Sequence, residues 1–240
     1  MAESSSGANE HAGRVREMFA AIATRYDLLN HLLSGNVDRR WRKIVAEELV
    51  ARLNSQPARL LDVACGTGDL AMALFETTGA EVVAADFCRP MLEIAARKLP
   101  RNVGLVEGDA LRLPFADACF DAVTIGFGLR NLANVAAGLA ELFRVLKPAG
   151  CAVVLEFSKP SNLFLRSGFG FYFHRILPVL GGLVSGSRSA YAYLPSSVDR
   201  FPDQGELCRM LETSGFKDVG FRNLTGGIAA IHFGRRPEEF

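Results

Sequence analysis

Hydrophobic and polar residues alternate with a helical period over the first part of the chain. Apolar residues recur every three or four positions from Val15, and Arg39–Leu53 has the same amphipathic pattern. Residues 1–13 are rich in Ser, Gly and Glu and show no period, so we expect a frayed tail there. The pattern therefore predicts N-terminal helices within residues 14–56, ahead of any strand.

After Pro57 the pattern changes to short apolar runs separated by helical segments. The five predicted strands are Leu60–Ala64, Val82–Ala85, Val103–Val106, Ala122–Ile125 and Ala152–Leu155. The predicted helices between them are Leu70–Glu76, Pro90–Lys98 and Val135–Leu146. The last helix should stop at Lys147-Pro148, because proline cannot continue a helix. This alternation predicts an α/β fold with a parallel sheet that helices cover on both faces.

The C-terminal part begins with a segment rich in phenylalanine and tyrosine, residues 157–200. A helix is predicted over Gln204–Ser214, followed by two strands, Val219–Leu224 and Ile228–Phe233. The turn between these strands, Thr225–Gly227, is short enough to make them antiparallel neighbours. We therefore expect the sheet to be closed by an antiparallel hairpin.

The composition is that of a globular protein with nearly balanced charge. The 240 residues include 27 Lys and Arg and 26 Asp and Glu, which gives a net charge of +1. A chain of this length can bury a full core, and we expect residues 14–240 to form one domain. So weak a net charge provides no field to hold a nucleic acid by its backbone, so we expect no nucleic-acid partner.

The cysteines and the apolar segments bear on metal binding and location. Five cysteines lie at wide spacings without a C-x-x-C pair, so we predict no metal site and buried thiols in a reducing cytoplasm. The first 24 residues have no apolar run of a secretory signal. Arg166, His174, Arg175 and Pro178 interrupt the most apolar segment, Leu163–Val184. No transmembrane span is therefore predicted.

A glycine turn follows the first predicted strand. Gly66 and Gly68 stand between that strand and a helix-forming segment. Glycine lets the backbone approach a ligand closely, and the first amides of the helix point into the crevice at the carboxyl end of the strand. Because cofactors bind in this crevice of doubly wound sheets, Gly66 and Gly68 are candidate cofactor-binding residues.

Two classes of cofactor fit this turn. Gly66-x-Gly68-x-x-Ala71 satisfies a relaxed fingerprint of NAD enzymes, so an NAD(P)-dependent oxidoreductase is an alternative. Asp69, however, stands where a diphosphate would lie, and two like charges ~4 Å apart repel by about 4 kcal/mol at an effective dielectric constant of 20. A ligand with an ammonium group and hydroxyls, such as S-adenosylmethionine, fits better.

Carboxylates at the strand ends suit this ligand. Asp62 or Asp69 can approach the ammonium group of its methionine part, and Asp86 ends the second strand, where a carboxylate can accept from both ribose hydroxyls. Asp109 follows the third strand, near the expected adenine. Each of these residues alone can equally be a helix cap. Together with the glycine turn they predict a nucleoside pocket.

Motifs along most of the chain identify a family. Its early motifs here are Tyr26-Asp27-Leu28-Leu29-Asn30, Ser34-Gly35 and Trp41. The later ones are Asp109–Phe115, Phe120-Asp121, Gly126–Asn131, Arg144–Pro148, Glu156–Pro160, Tyr193–Pro195, Gly215-Phe216 and Leu224–Gly227 with His232. Over roughly residues 14–236, the chain resembles the bacterial quinone-biosynthesis C-methyltransferases that act on demethylmenaquinone or the ubiquinone precursor.

The resemblance implies a fold, a reaction and a set of site residues. The fold would be a Rossmann-like class I methyltransferase with a seven-stranded sheet. The reaction would transfer a methyl group from S-adenosylmethionine to a ring carbon of a polyprenylated quinol, either demethylmenaquinol or the benzoquinol precursor of ubiquinone. The implied cofactor contacts are Thr67, Asp86, Asp109, Ala110 and the backbone of Gly126. The residues implied around the quinol are Arg130, Asn131 and Tyr26.

Four positions depart from the family pattern. Asp38 stands where the family usually has His, and Gly126 stands where many members have Ser. Cys88 and Ala149 replace a usual Ser and a usual Gly. The first departure weakens any role for an imidazole at that position, and Gly126 removes one hydroxyl contact to the cofactor. They suggest a second alternative, a catalytically silent scaffold in quinone biosynthesis.

Activation of the acceptor is the demanding part of such a reaction. A ring carbon becomes nucleophilic when an adjacent phenol, with a pKa of about 10, loses its proton. Arg130 cannot readily be the base, because its own pKa exceeds about 12, so we assign it to stabilising the phenolate or polarising a water, with Asn131 orienting it. Tyr26 can equally be a core aromatic. His174 and His232 are reserve bases, although a lone histidine among apolar residues is more typical of packing.

The substrate implied by the resemblance has a tail that lies in the membrane. Leu163–Val184 is therefore open to two interpretations, core packing and an apolar channel for the isoprenoid tail. We expect a cytoplasmic protein that contacts the membrane surface reversibly through this segment or the N-terminal helices. A homodimer also stays open.

Overall fold

The computed structural model describes residues 2–53, 58–160, 162–177, 179 and 188–238. Two helices, α1 (Ala2–Ser34) and α2 (Val37–Val50), precede the first strand, β1 (Arg59–Val63), as predicted. The structure differs at the N-terminus, where α1 begins at Ala2 and runs through the residues expected to form a frayed tail. Adding residues to a helix that is already nucleated costs little, so the helix can extend through serine and glycine residues of low helix propensity.

An alternating series of strands and helices follows. It consists of α3 (Asp69–Thr78), β2 (Glu81–Asp86), α4 (Arg89–Lys98), β3 (Gly104–Glu107), β4 (Phe120–Gly126), a 3₁₀ turn (Leu129–Asn131), α5 (Val135–Val145) and β5 (Leu146–Phe157). The five predicted strands and three predicted helices each overlap one of these elements. Strand β5 is much longer than predicted, because its residues pair with β4 from Leu146 onward and a register shift absorbs the irregular stretch.

The C-terminal elements begin after β5. They are α6 (Leu163–Phe171), a π-helical turn (Tyr172–Ile176), α7 (Arg188–Arg200), α8 (Gln204–Thr213), β6 (Lys217–Leu224) and β7 (Ala229–Arg235). The predicted helix and hairpin are confirmed, since β6 and β7 pair antiparallel. Residues 178 and 180–184 of the predicted apolar segment lie outside the described residues. Within the described ranges, no helix is both long and apolar enough to cross a bilayer.

The order of the strands places a crevice at the centre of the sheet. The seven strands of the described residues lie in the order β3-β2-β1-β4-β5-β7-β6, and β7 runs antiparallel to the other six. The chain starts at β1, moves outward to β3 and returns on the other side of β1 at β4. This reversal leaves an opening at the carboxyl ends of β1 and β4. The predicted fold class, an α/β sheet with a closing hairpin, is confirmed.

The two faces of the sheet are buried in separate apolar clusters. Leu60 of β1 and Val82 of β2 pack in one cluster, with Trp41 of α2, whereas the adjacent Leu61 and Val83 pack in the other. Successive side chains of a strand point to opposite faces, so continuously apolar strands can be buried on both sides. The carboxyl ends of the strands are therefore the places where polar side chains meet.

Candidate active site

The glycine turn crosses the carboxyl end of β1. Gly66 and Gly68 have φ angles of +55° and +86°, in the left-handed region that favours glycine. A Cβ atom at Gly68 would lie 2.8 Å from Cδ1 of Leu99, so a larger residue would displace that side chain. The backbone N–H of Gly66 donates to Oδ2 of Asp86 over 2.8 Å, and this bond joins the turn to the end of β2.

Asp86 is the buried carboxylate at this crevice. Asp86 is 6% exposed. Its Oδ1 accepts a second hydrogen bond, of 2.8 Å, from the backbone N–H of Cys88. Burial raises the pKa of this carboxyl, and the two backbone N–H groups counteract part of the rise. Each oxygen thus has one bonded N–H and keeps one lone pair for a ligand.

A cavity of about 80 Å³ lies beside Asp86. It is called the donor cavity here, after the methyl donor that the sequence led us to expect. Five of the predicted cofactor residues line it: Gly66, Asp86, Asp109, Ala110 and Gly126. Helix α1 contributes Ala12, Phe19 and Tyr26 to its wall. The other three predicted cofactor residues, Asp62, Thr67 and Gly68, are not part of this wall. The structure therefore brings the strand-end carboxylates of β2 and β3 together with the glycine turn, as predicted.

Thr67 is held by α1 instead. It is buried, and its hydroxyl donates to the carboxylate of Asp27. Nζ of Lys98 lies 2.8 Å from Oδ2 of Asp27 and also contacts Asp69. Because Lys98 compensates Asp69, the predicted repulsion between Asp69 and a diphosphate is weaker than the sequence suggests, and this argument against NAD does not stand by itself.

Asp62 is a core carboxyl rather than a cavity residue. It is fully buried, Oδ1 accepts a hydrogen bond of 2.8 Å from Thr124, and Oδ2 has no partner among the described residues. Burial raises the pKa of Asp62 to about 7. The sequence placed this residue near a ligand ammonium, but Asp62 does not line the donor cavity.

Asp62→Asn is expected to stabilise the protein at alkaline pH. The folded pKa lies above the unfolded value, so the stability contributed by the neutral carboxyl is full below pH ~4 and is lost as the pH rises through 7. Asparagine stays neutral and can still accept from Thr124, although its amide N–H needs a partner. We expect a net gain of roughly 2 kcal/mol at pH 8 that shrinks toward pH 5. Urea unfolding at both pH values measures it, and a pH-independent difference would contradict the assignment.

A second and larger cavity adjoins the donor cavity. It has a volume of about 280 Å³ and is mainly apolar. It is called the acceptor cavity here, after the methyl acceptor that the resemblance implies. Four side chains line both cavities: Phe19, Tyr26, Phe127 and Asn131. Phe169, Tyr172 and Phe173 of the predicted aromatic segment line only the acceptor cavity. The two cavities therefore share a wall that α1 and the loop after β4 build together.

The loop after β4 is strained at Phe127. This residue has a φ angle of +58°, which a bulky side chain rarely adopts. Its N–H donates to the carbonyl of Leu155 over 2.7 Å. Its carbonyl accepts from Nη1 of Arg130 (2.6 Å) and Nδ2 of Asn131 (3.2 Å). The strained residue thus gathers both predicted acceptor-site side chains around one carbonyl oxygen.

Arg130 lies at the edge of the acceptor cavity with its side chain 6% exposed. Its Nη1 lies 2.7 Å from Oε2 of Glu156, and its guanidinium carbon lies 5.3 Å from the ring centre of Phe157. Asn131 and Tyr26 stand in the shared wall, and burial raises the pKa of the Tyr26 phenol. The structure therefore brings the three predicted catalytic residues, Arg130, Asn131 and Tyr26, to one cavity.

Asp38, which stands where the family usually has His, lies in a buried polar cluster. Ser34 donates to its Oδ1 over 2.6 Å, Nδ1 of His31 lies 2.8 Å from its Oδ2, and Arg42 contacts the same oxygen. An imidazole from α1 thus stands beside the position where the family has histidine. His31, Asp38 and Asp69 have metal-ligating side chains, but Arg42 contacts both carboxylates, 3.6 Å from Asp69. The trio is therefore an ion-pair cluster.

The two reserve histidines lie outside the two cavities. Nε2 of His232 hydrogen-bonds the carbonyl of Gln204 over 3.2 Å, and burial lowers the pKa of this buried imidazole to about 4. The side chain of His174 is 45% exposed and lies 3.5 Å from Asp199. His232 is thus a neutral packing residue, and His174 is a surface residue.

Glu156 is a site residue that the sequence analysis did not single out. It is 1% exposed and forms the ion pair with Arg130 at the end of β5. The sequence feature that identified Asp86 also applies to Glu156, because both are carboxylates at the carboxyl end of an apolar strand. Trp41 was also missed as a cavity residue, and its Nε1 donates to Thr225 over 2.9 Å.

Comparison with protein families gives a match over nearly the whole chain. Residues 6–236 match the model of the ubiE/COQ5 methyltransferase family. A demethylmenaquinone methyltransferase from Thermus thermophilus is 51% identical over 224 residues, which cover 92% of this chain and 100% of that protein. A ubiquinone/menaquinone biosynthesis C-methyltransferase from Stutzerimonas stutzeri is 41% identical over 236 residues, which cover 95% of this chain and 91% of that protein.

Solved structures show the same fold at low sequence identity. A SAM-dependent methyltransferase from Thermotoga maritima, described as a possible histamine N-methyltransferase, superposes with a TM-score of 0.65 at 18% identity. The match covers 92% of this chain and 98% of that one. The cyclase SpnF superposes with a TM-score of 0.68 at 19% identity over 94% of this chain and 96% of that one. These likenesses establish the fold.

Proposed function

This chain belongs to the ubiE/COQ5 methyltransferase family, and on that premise we propose that it methylates a ring carbon of a polyprenylated quinol, converting demethylmenaquinol to menaquinol. The methyl donor is S-adenosylmethionine. The observation that carries the proposal is the pair of adjoining cavities. One presents the Asp86 carboxylate and the glycine turn, the other is apolar and presents Arg130, and they share a wall at Tyr26 and Asn131.

The residues of the donor cavity fit a nucleoside. Asp86 keeps a free lone pair on each oxygen, so it can accept from two ribose hydroxyls. Asp109 and Ala110 line the same cavity and are the residues proposed for the adenine. Gly66 and Gly126 place backbone rather than side chains at the cavity. When bound, S-adenosylmethionine supplies a methyl group on a positively charged sulfur, which is a good leaving group.

The residues of the acceptor cavity suit activation of a phenol. Arg130 stabilises the phenolate that forms when an acceptor hydroxyl loses its proton to water, because a guanidinium that carries its full charge favours the anion. Asn131 orients Arg130, since both side chains donate to the carbonyl of Phe127, and Tyr26 lies beside the ring at the shared wall. Deprotonation raises the electron density at the neighbouring carbon. With S-adenosylmethionine bound, this carbon would accept the methyl group, the electron pair of the broken carbon–sulfur bond would stay on the sulfur, and the ring carbon would release its proton to water.

An assay with two acceptors tests the proposal. Reduced demethylmenaquinol and the benzoquinol precursor of ubiquinone are incubated side by side with donor carrying a labelled methyl group, and the products are separated. We expect label in menaquinol, and faster turnover of the benzoquinol would favour the alternative substrate. If neither quinol is labelled under reducing conditions, the scaffold reading replaces the proposal. Calorimetric binding of NAD without binding of S-adenosylmethionine would favour the oxidoreductase reading.

The surface next to the acceptor cavity supports contact with a membrane that holds the quinol. Phe164 and Phe171 are seven residues apart on α6, on one helix face, and are 90% and 64% exposed. Residues 157–198 contain Lys159, Arg166, Arg175 and Arg188 but no Asp or Glu. An exposed apolar helix face within a cationic segment suits the headgroup region of an anionic bilayer. The opposite face of the same segment lines the cavity that would take the isoprenoid tail.

A double variant tests this surface. Phe164→Ser with Phe171→Ser is expected to weaken binding to phosphatidylglycerol vesicles at least tenfold, because inserting each phenyl ring gains about 1.5–3 kcal/mol. Vesicle co-sedimentation measures the effect. Phe221→Ser is the matched control, since Phe221 is 45% exposed on β6, at the far edge of the sheet. Equal binding by all three proteins, or none by the parent, would refute the membrane surface.

A further inference from the structure

Glu156 makes three hydrogen bonds, and two of them go to one residue. Its Oε1 accepts from the backbone N–H of Arg130 over 3.2 Å, and its Oε2 accepts from Nη1 of Arg130 over 2.7 Å. Oε2 also accepts from the backbone N–H of Phe157 over 3.1 Å. Both the main chain and the side chain of Arg130 are therefore fixed to the end of β5.

The hydrogen bonds of the guanidinium with described residues involve Nη1 and not Nε. Nη1 donates to Glu156 and to the carbonyl of Phe127, so both of its N–H groups are satisfied. Nε is buried and has no hydrogen-bond partner in the part of the chain that the structure describes. Parallel N–H groups on the Nε and Nη2 edge form the fork that binds an oxyanion with two hydrogen bonds. Among the described residues, the hydrogen bonds of the Arg130 side chain thus involve Nη1 and leave Nε of this edge without a partner.

The positions of the two residues relative to the acceptor cavity differ. Arg130 lines that cavity, whereas Glu156 is not among the residues of its wall. The guanidinium carbon also lies within 5.8 Å of the ring centre of Phe127 and 5.3 Å of that of Phe157, so the aromatic rings restrict its rotation. One carboxylate and two aromatic rings therefore restrict the orientation of the guanidinium at the cavity.

We propose that Glu156 is a positioning residue that holds the Nε–Nη2 edge of Arg130 toward an acidic hydroxyl of the acceptor. The inference rests on the proposed function, in which Arg130 stabilises the phenolate. Glu156 does not touch the acceptor, and it acts through Arg130. A carboxylate that served only to balance charge would have the opposite effect on the acceptor, because its removal would leave the guanidinium more positive and would favour the phenolate.

A double-mutant cycle in turnover tests the proposal. Glu156→Gln is expected to lower kcat 10- to 100-fold, with the KM values of donor and acceptor changed less than threefold. In the Arg130→Ala background the same substitution is expected to have no further effect, because the group that it positions is absent. Glu156→Asp keeps the charge but is one methylene shorter, so we expect it to recover part of the loss. Glu48→Gln, in an ion pair outside both cavities, is the control.

Two outcomes of the cycle would overturn the proposal. If the losses of the two single variants multiply in the double variant, Glu156 does not act through Arg130. If Glu156→Gln moves the ascending limb of the kcat–pH profile to lower pH and raises kcat there, Glu156 balances charge instead of positioning. The double variant removes both partners of the buried pair, which avoids an uncompensated charge, so it remains measurable where a single variant unfolds.

A binding measurement separates this proposal from the proposed function. The anion of 2-hydroxy-1,4-naphthoquinone absorbs visible light, and its titration requires no methyl transfer. We expect Glu156→Gln to weaken its binding about tenfold in the parent and not at all in the Arg130→Ala background. Binding with this dependence but without methylation of any quinol would refute the proposed function and leave the role of Glu156 intact. Equal binding by the parent and Glu156→Gln would refute the positioning role.

Discussion

Arg130→Ala is expected to lower kcat about a thousandfold and to leave the Kd for S-adenosylmethionine within threefold of its original value. The reason is that a fixed donor facing a developing oxyanion contributes about 10²–10³ to the rate of reactions of this type. Arg130 lines only the acceptor cavity, so its loss should not disturb the donor. Steady-state kinetics with reduced acceptor, together with donor calorimetry, measure the two quantities.

The controls for this prediction separate charge, geometry and stability. Arg130→Lys keeps the charge but loses the planar fork, so its kcat should fall between those of the parent and the alanine variant. Arg101→Ala removes an exposed arginine and should leave kcat unchanged. Arg130→Ala leaves Glu156 buried without its partner, so the free energy of unfolding should fall by about 3–5 kcal/mol. Activity is therefore measured at a temperature below the thermal unfolding midpoint of the variant. Full turnover by Arg130→Ala would rule out the role proposed for it.

The second large effect is expected at Asp86. Asp86→Ala should raise the Kd for S-adenosylmethionine about 10²- to 10⁴-fold, because two hydrogen bonds to a charged group contribute about 1.5–3 kcal/mol each and every 1.4 kcal/mol is a factor of ten. The substitution also removes the acceptor of the Gly66 and Cys88 N–H groups, which loosens the glycine turn. Calorimetric titration with the donor measures the change.

Two further variants make the Asp86 prediction specific. Asp86→Asn keeps the shape but places an N–H group against a backbone N–H, so its affinity should lie between those of the parent and Asp86→Ala. Asp117→Ala removes a carboxylate that is 75% exposed and paired with Arg144, and it should bind the donor normally. A variant of Asp86 that binds the donor as tightly as Asp117→Ala does would show that the ribose is held elsewhere.

The periodicity of the sequence was sufficient to predict the fold because four of the five predicted strands, β1, β2, β4 and β5, lie inside the sheet and are mostly buried on both faces. Runs such as Leu60–Ala64 have no exposed side and therefore stand out from the helices around them. The limits of β5 were missed because the chain around Pro148 contains turn-forming residues. The structure accommodates them in the strand through a register shift and a positive φ angle of +61° at Ala149.

The candidate site was only partly accessible to the same reasoning. Asp86 and Asp109 were identified because the ends of neighbouring parallel strands meet, which is a rule of topology. The contact of Thr67 with Asp27 joins residues 40 positions apart, and that of Arg130 with Glu156 joins residues 26 positions apart. Such pairs depend on how α1 and the loop after β4 pack, and the spacing of residue types along the chain does not encode that packing.

The wall shared by the two cavities has a consequence for the order of events. Phe19, Tyr26, Phe127 and Asn131 contact whatever occupies either cavity, so a bound donor fixes side chains that the quinol would otherwise have to order. By thermodynamic linkage the effect is mutual, because each ligand must raise the binding affinity of the other by the same factor. We therefore expect release of the demethylated donor to weaken the binding of the methylated quinol by that factor.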